Sequence, residues 1–294
     1  MNTRIQTFED VRNDLPDPVV TSIGDGIELE TLHIPGEGPP LVFIHGGLGS
    51  MWNHYLQLDH FAGNRELIAY SLVGYGQSSS QTVRSVSAHA THLRRLLTAL
   101  DVENVVLNGW SYGAAVALEY AKRWSVEGLV LCSGADHALT PWWEPPVIRF
   151  AIATGLYKLF RGETVPKWFA RSEIFHGSTP DPVVEQFLET LELPLQRSAW
   201  DVLESFWGYE KNDERHRITA PTLVVHGSED SLVPIEAARR TAGRIPDAVF
   251  CEVQQAAHAV MVERPQTYNT LVETVFDCVE EDESLVPLVA GRVA

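Results

Sequence analysis

Cysteine is scarce in this chain: Cys132, Cys251 and Cys278 are the only three in 294 residues, and no two stand at metal-ligand or paired spacing. That excludes a disulfide framework and a thiolate metal site as organising features, and leads us to expect a reduced, cytoplasmic protein. Lysine is also scarce, with four residues, and Asp plus Glu outnumber Lys plus Arg 39 to 22. The resulting formal charge of −17 repels phosphate, so neither nucleic acid nor an anionic membrane is an expected partner. No apolar run approaches the length of a membrane span, and the first residues, MNTRIQTFEDVRNDL, are too polar for a signal peptide. What the chain does have is 45% hydrophobic residues, enough for a large core in one α/β domain, with or without an insertion.

Strand patterns begin at residue 27 with IELETLHI and continue as LVFIH (41–45), ELIAYS (66–71), NVVLN (104–108) and VEGLVLCS (126–133). Helical spacing fills the gaps at 53–62, 85–100 and 112–124, and His89 and His92 within the second of these are expected on its surface. Alternation of this kind predicts a mostly parallel central sheet with helices on both faces. The rhythm stops between 137 and 215, where helix-like pieces, prolines and five of the eight tryptophans occur: Trp142, Trp143, Trp168, Trp200 and Trp207. It resumes with APTLVVHG (220–227), a helix over 235–244, AVFCEV (248–253) and a helix over 266–280. We therefore expect a discontinuous core, 1–136 and 216–294, interrupted by a helical cap, 137–215. The tail EEDESLVPLVAGRVA is expected to be loose.

Between NVVLN and the third helix lies GWSYG, a serine between two glycines at a strand-to-helix turn. Such a turn strains the backbone of Ser111 by about 1–3 kcal/mol and lifts its hydroxyl clear of the sheet. A serine hydroxyl is a weak nucleophile and needs a base, which in turn needs an orienting acid. HGSEDSLVP puts Asp230 just past the carboxyl end of a strand, with Glu229 as its rival, and QQAAHAVMVERP puts His258 in the loop after the last strand. Acyl transfer also requires donors for an oxyanion. The glycine-rich turn of FIHGGLGS offers free backbone amides, so Gly47 and Tyr112 are the candidate donors, with Leu48 the alternative to Gly47. His45 in that turn is read as structural, tying down the glycine loop through a ring N–H.

HGGLGS, GYGQSS, GWSYG, GSEDSLVP and HAVMVERP, in this order and spacing, resemble the α/β-hydrolase fold superfamily. The resemblance spans roughly residues 25–136 and 218–280, and the segment between looks like that family's cap. It implies Ser111 as nucleophile, Asp230 as acid and His258 as base, in agreement with the chemistry above. Two departures stand out: Ser71-Leu72 where many relatives have Asp before the glycine turn, and Ala257 where glycine commonly precedes the histidine. A serine nucleophile disfavours the dehalogenase and epoxide hydrolase branches, which use Asp. The expected activity is carboxylesterase-like cleavage of small to medium, largely apolar esters without metal or cofactor. Trp110, Trp142, Trp143, Phe206 and Trp207 are the candidate pocket residues. The alternatives are C–C bond or lactone hydrolysis by the same residues, and a non-catalytic ligand-binding receptor.

Overall fold

The computed structural model describes residues 7–47, 49–135, 144–156, 164–191, 197–206, 209, 217–281 and 284–293. Eight strands form one sheet in the order β1-β2-β4-β3-β5-β6-β7-β8. They are β1 (Val19–Ser22), β2 (Glu28–Ile34), β3 (Leu41–Ile44), β4 (Leu67–Tyr70), β5 (Val106–Trp110), β6 (Gly128–Cys132), β7 (Thr222–Gly227) and β8 (Val249–Val253). The β1–β2 and β2–β4 pairs are antiparallel and every pair beyond is parallel. Because parallel strands need covered crossovers, both faces are buried. The period-2 alternation of a strand divides β3 accordingly: Leu41 and Phe43 enter one core cluster, with Tyr268, Val275 and Phe276. Val42 and Ile44 enter the other, with Leu93, Leu96 and Val116.

The covering helices are α1 (Phe8–Asp14), α2 (Tyr55–Phe61), α3 (Val86–Ala99), α4 (Tyr112–Ala121), α9 (Ile235–Ala242), α10 (Val260–Glu263), α11 (Pro265–Glu281) and α12 (Leu285–Val293). Between β6 and β7 the described elements are all helical: α5 (Glu144–Thr154), α6 (Thr164–Phe169), a π-helical turn (Ala170–Ile174), α7 (Asp181–Leu188) and α8 (Arg197–Phe206). Ile174, Phe175, Phe187 and Leu188 of this insertion join the first core cluster, and Val202 joins the second.

Two expectations are corrected. His89 is not a surface residue: it is 1% exposed, because Val86, His89, Ala90, Leu93, Leu96 and Leu97 form one helical face turned to the sheet. The tail is not loose, since Leu285 and Val289, one turn apart on α12, are both buried in the core. The charge run before them hid that spacing in the sequence. The amino-terminal segment also carries order that its polarity concealed: a Thr7–Asp10 capping box starts α1, and the mostly exposed β1 forms the sheet edge. No helix among the described residues is long and apolar enough to cross a membrane.

Candidate active site

β3 lies between β4 and β5, so the chain leaves it in one direction for β4 and returns on its other side for β5. Loops diverge at such a switch point and leave a crevice at the carboxyl ends of the strands. The glycine loop after β3, the Ser111 turn after β5, the Asp230 loop after β7 and the His258 loop after β8 all open at this edge.

Ser111 has φ 54° and ψ −114°, an uncommon conformation for a residue with a side chain. It is fixed on both sides: its N–H donates to the Cys132 carbonyl (2.8 Å) and its carbonyl accepts from the Ala114 N–H (3.1 Å). The flanking glycines are required by close approach. A Cβ on Gly109 would overlap the Gly113 carbonyl oxygen, and one on Gly113 would overlap that of Ile44. The tight turn is thus built on contacts that only glycine permits.

The Ser111 hydroxyl lies 2.9 Å from His258 Nε2, and His258 Nδ1 lies 2.8 Å from Asp230 Oδ2. A carboxylate only accepts, so Nδ1 carries the proton and Nε2 presents its lone pair to the serine O–H. Asp230 Oδ1 accepts from the Leu232 and Val233 N–H groups, each at 3.0 Å. Burial by itself would raise the Asp230 carboxyl; His258, His226 and the Val233 amide outweigh it and hold the group below the usual carboxylate range. Glu229, the rival acid, instead pairs with His176 Nε2 at 2.8 Å.

The sequence reading overlooked His226. It is fully buried at the end of β7, its Nε2 donating to the Val233 carbonyl (2.8 Å) and lying 3.4 Å from Asp230 Oδ2. Burial, chiefly, lowers its pKa. The one sequence signal was a histidine four residues before the candidate acid, at a strand end.

Gly47 and Tyr112 face each other across the crevice: a Cβ on Gly47 would lie 3.8 Å from Tyr112 Cβ. Tyr112 is the first residue of α4, where backbone N–H groups have no intrahelical partner and the helix dipole favours negative charge. The Gly47 carbonyl accepts from the Tyr75 hydroxyl at 2.6 Å. His45 accepts from the Leu72 N–H through Nε2 (2.9 Å) and donates from Nδ1 to the Gly46 carbonyl (2.7 Å), fastening the loop through a ring N–H. Burial pushes its pKa down to about 4, which keeps one neutral tautomer in place. Leu48, Trp142, Trp143 and Trp207 lie outside the described residues.

Trp110 does not stand as an open pocket wall. It is 2% exposed, packs edge-on against Phe187, and donates its indole N–H to the His258 carbonyl at 2.8 Å. Phe206 meets the Tyr112 ring with centroids 5.1 Å apart. Its helix, α8, is held by Ser205 Oγ on the Tyr112 hydroxyl (2.9 Å) and by Arg84 on Asp201 (3.1 Å) and Glu204 (2.6 Å). Val202 on this helix roofs the glycine loop, its Cγ1 2.9 Å from where a Gly47 Cβ would stand. Ser71, at the first departure from the family pattern, donates to the buried Glu30 carboxylate at 2.9 Å. No three His, Cys, Asp or Glu side chains among the described residues are grouped as metal ligands.

A family model described as alpha/beta hydrolase fold matches residues 39–265. The AB hydrolase superfamily protein YisY of Bacillus subtilis is 27% identical over 81% of this chain and 91% of its own. A 2-hydroxy-6-oxo-2,4-heptadienoate hydrolase of Pseudomonas putida is 28% identical over 85% of this chain and 93% of its own. Among solved structures, a thermophilic esterase from Thermogutta terrifontis superposes with a TM-score of 0.78, at 24% identity, covering 90% of this chain and 99% of that one.

Proposed function

This chain belongs to the alpha/beta hydrolase fold family, and on that premise we propose that it cleaves small to medium, largely apolar carboxylic esters through an acyl-enzyme on Ser111. The observation that carries this reading is the unbroken hydrogen-bonded line from Asp230 Oδ2 through both ring nitrogens of His258 to Ser111 Oγ. Ser111 Oγ attacks the acyl carbon while His258 Nε2 takes its proton. Asp230 holds the ring in the required tautomer and favours the imidazolium. The amides of Gly47 and Tyr112 receive the oxyanion, a contribution of roughly 3 kcal/mol per donor. His258 returns its proton to the departing alcohol, then takes one from the water that attacks the acyl carbon and passes it to Ser111 Oγ as the bond from that oxygen to the acyl carbon breaks and the acid leaves. Residues 137–215 act as a cap over the core formed by 1–136 and 216–294, and the substrate is a small molecule met in the cytoplasm.

Ser111→Ala is expected to lower kcat by about 10³-fold or more while leaving the circular dichroism spectrum unchanged. A fluorophosphonate probe is expected to label Ser111 in the parent protein and nothing in the variant. Full turnover by a clean Ser111→Ala preparation would refute the nucleophile.

A second reading is carbon–carbon or lactone hydrolysis with the same residues, and it draws support from the relative named as a heptadienoate hydrolase. A panel of p-nitrophenyl esters, lactones and β-diketones separates the two: rapid diketone cleavage without ester turnover selects the second. A folded protein that the phosphonate never labels would instead be a ligand-binding member without catalysis.

A further inference from the structure

The carboxyl group of Glu263 is buried, at the end of α10, five residues past His258. One oxygen, Oε2, accepts from the Ala257 N–H at 2.7 Å, immediately before the histidine. The other, Oε1, accepts from the His176 N–H and the Thr179 hydroxyl, both at 2.6 Å and both in the inserted segment. A carboxyl group is costly to bury unless its lone pairs are filled, and here three donors from two distant parts of the chain fill them.

The same inserted segment reaches the site at three further points. The Ile174 carbonyl, at the end of the π-helical turn, accepts from both the His258 and the Ala259 N–H groups (3.0 and 3.1 Å). Beside the acid, Ser231 Oγ donates to Glu173 Oε2 at 3.0 Å, and Glu229 pairs with His176 at 2.8 Å. Residues 173–179 therefore grip the loops of both Asp230 and His258. A π-helical turn frees backbone carbonyls from the regular ladder and is frequent at functional sites.

We infer that Glu263 is a positioning residue that rivets the His258 loop to residues 173–179, so that the insertion fixes the alignment of the base as well as covering the site. The inference rests on the serine-hydrolase reading above. Its physical basis is the steep dependence of proton transfer on geometry: a misplacement of about 1 Å can cost on the order of 100-fold in rate. Glu263 never touches the reacting atoms; it acts through the backbone of Ala257.

Glu263→Gln keeps the shape but offers one acceptor oxygen and one NH₂ donor, so one side of the rivet faces a donor with a donor. The variant is expected to be captured by a fluorophosphonate at Ser111 at least about tenfold more slowly, with kcat down in proportion and KM within about twofold. The far-downfield proton resonance of His258 Nδ1–H, given by its bond to Asp230, is expected to broaden or vanish. A folded Glu263→Gln protein with parental capture rate and an unchanged resonance overturns the inference. Should that variant fail to fold, Thr179→Val decides: it removes a single donor, and capture slowed by about two- to fivefold is expected, while an unchanged rate overturns the inference. Absence of any capture in the parent protein overturns the serine-hydrolase reading itself and takes this inference with it.

Discussion

A neutral histidine deep in a core is stable only while the pH keeps it neutral, and this molecule has several. His45, His54 and His89 are each buried, and desolvation pushes them down to about 4, 3 and 3. Unfolding frees them to protonate near 6.5, so the unfolded state binds more protons below that pH. Their stabilising contribution is whole above about pH 6.5 and shrinks as the pH falls from there toward the folded values, by about 1.4 kcal/mol per pH unit for each. The urea midpoint is expected to drop steadily between about pH 7 and pH 5. His89→Phe, which keeps a ring against Tyr112, is expected to flatten that slope by one histidine's share; an unchanged slope would contradict it. Of the residues concerned, His45 was readable as a fastener because it stands beside glycines at a strand end. His89 shares a helical face with Val86 and Leu93, so its spacing places it inside although its side chain is polar.

At the scale of elements, the turn at GWSYG and the helix at the carboxyl terminus contrast. The turn announces itself, since two glycines around a serine between a strand pattern and a helix pattern leave few alternative conformations. The terminal helix does not, because its apolar residues follow five acidic or polar ones and it is short. Yet α12 lays Leu285 and Val289 on the same core cluster as Phe276 and Val275 of α11. Leu285→Ala is expected to destabilise the protein by about 2 kcal/mol or more, read from chemical denaturation, with kcat and KM unchanged. Loss of activity without loss of stability would show that the helix serves the site and not the core. β1 and α1 went unread for a related reason: β1 is four residues long and largely exposed, so it has no apolar alternation to detect.

The whole molecule carries a formal charge of −17. An excess of like charge repels itself, and salt screens that repulsion over a Debye length of about 10 Å at 0.1 M. Raising NaCl from about 10 mM to about 300 mM is therefore expected to raise the Tm by a few degrees, measured by scanning calorimetry. A fall would mean that surface ion pairs such as Arg84 with Glu204 outweigh the net repulsion. The insertion also belongs to this scale. Its side chains merge into both core clusters and pair with Ser231 and Glu229 beside the acid, and its Ile174 carbonyl bonds to the loop of the base, so it is continuous with the core.

The sequence by itself determined the alternation of strands and helices, the place of the turn at Ser111, and the strand-end positions of Asp230 and His258 in that order. These are local properties, set by side-chain periodicity, by glycine at close approaches and by the chemistry of adjacent residues. Only the tertiary structure decided which ring nitrogen faces which oxygen, that Glu229 turns away to His176, that Trp110 donates its indole N–H to the His258 carbonyl, and that Glu263 joins the histidine loop to a segment 84 to 87 residues distant in the chain. A buried carboxyl group chooses its partners by proximity in space, and no spacing along the chain encodes partners so far apart.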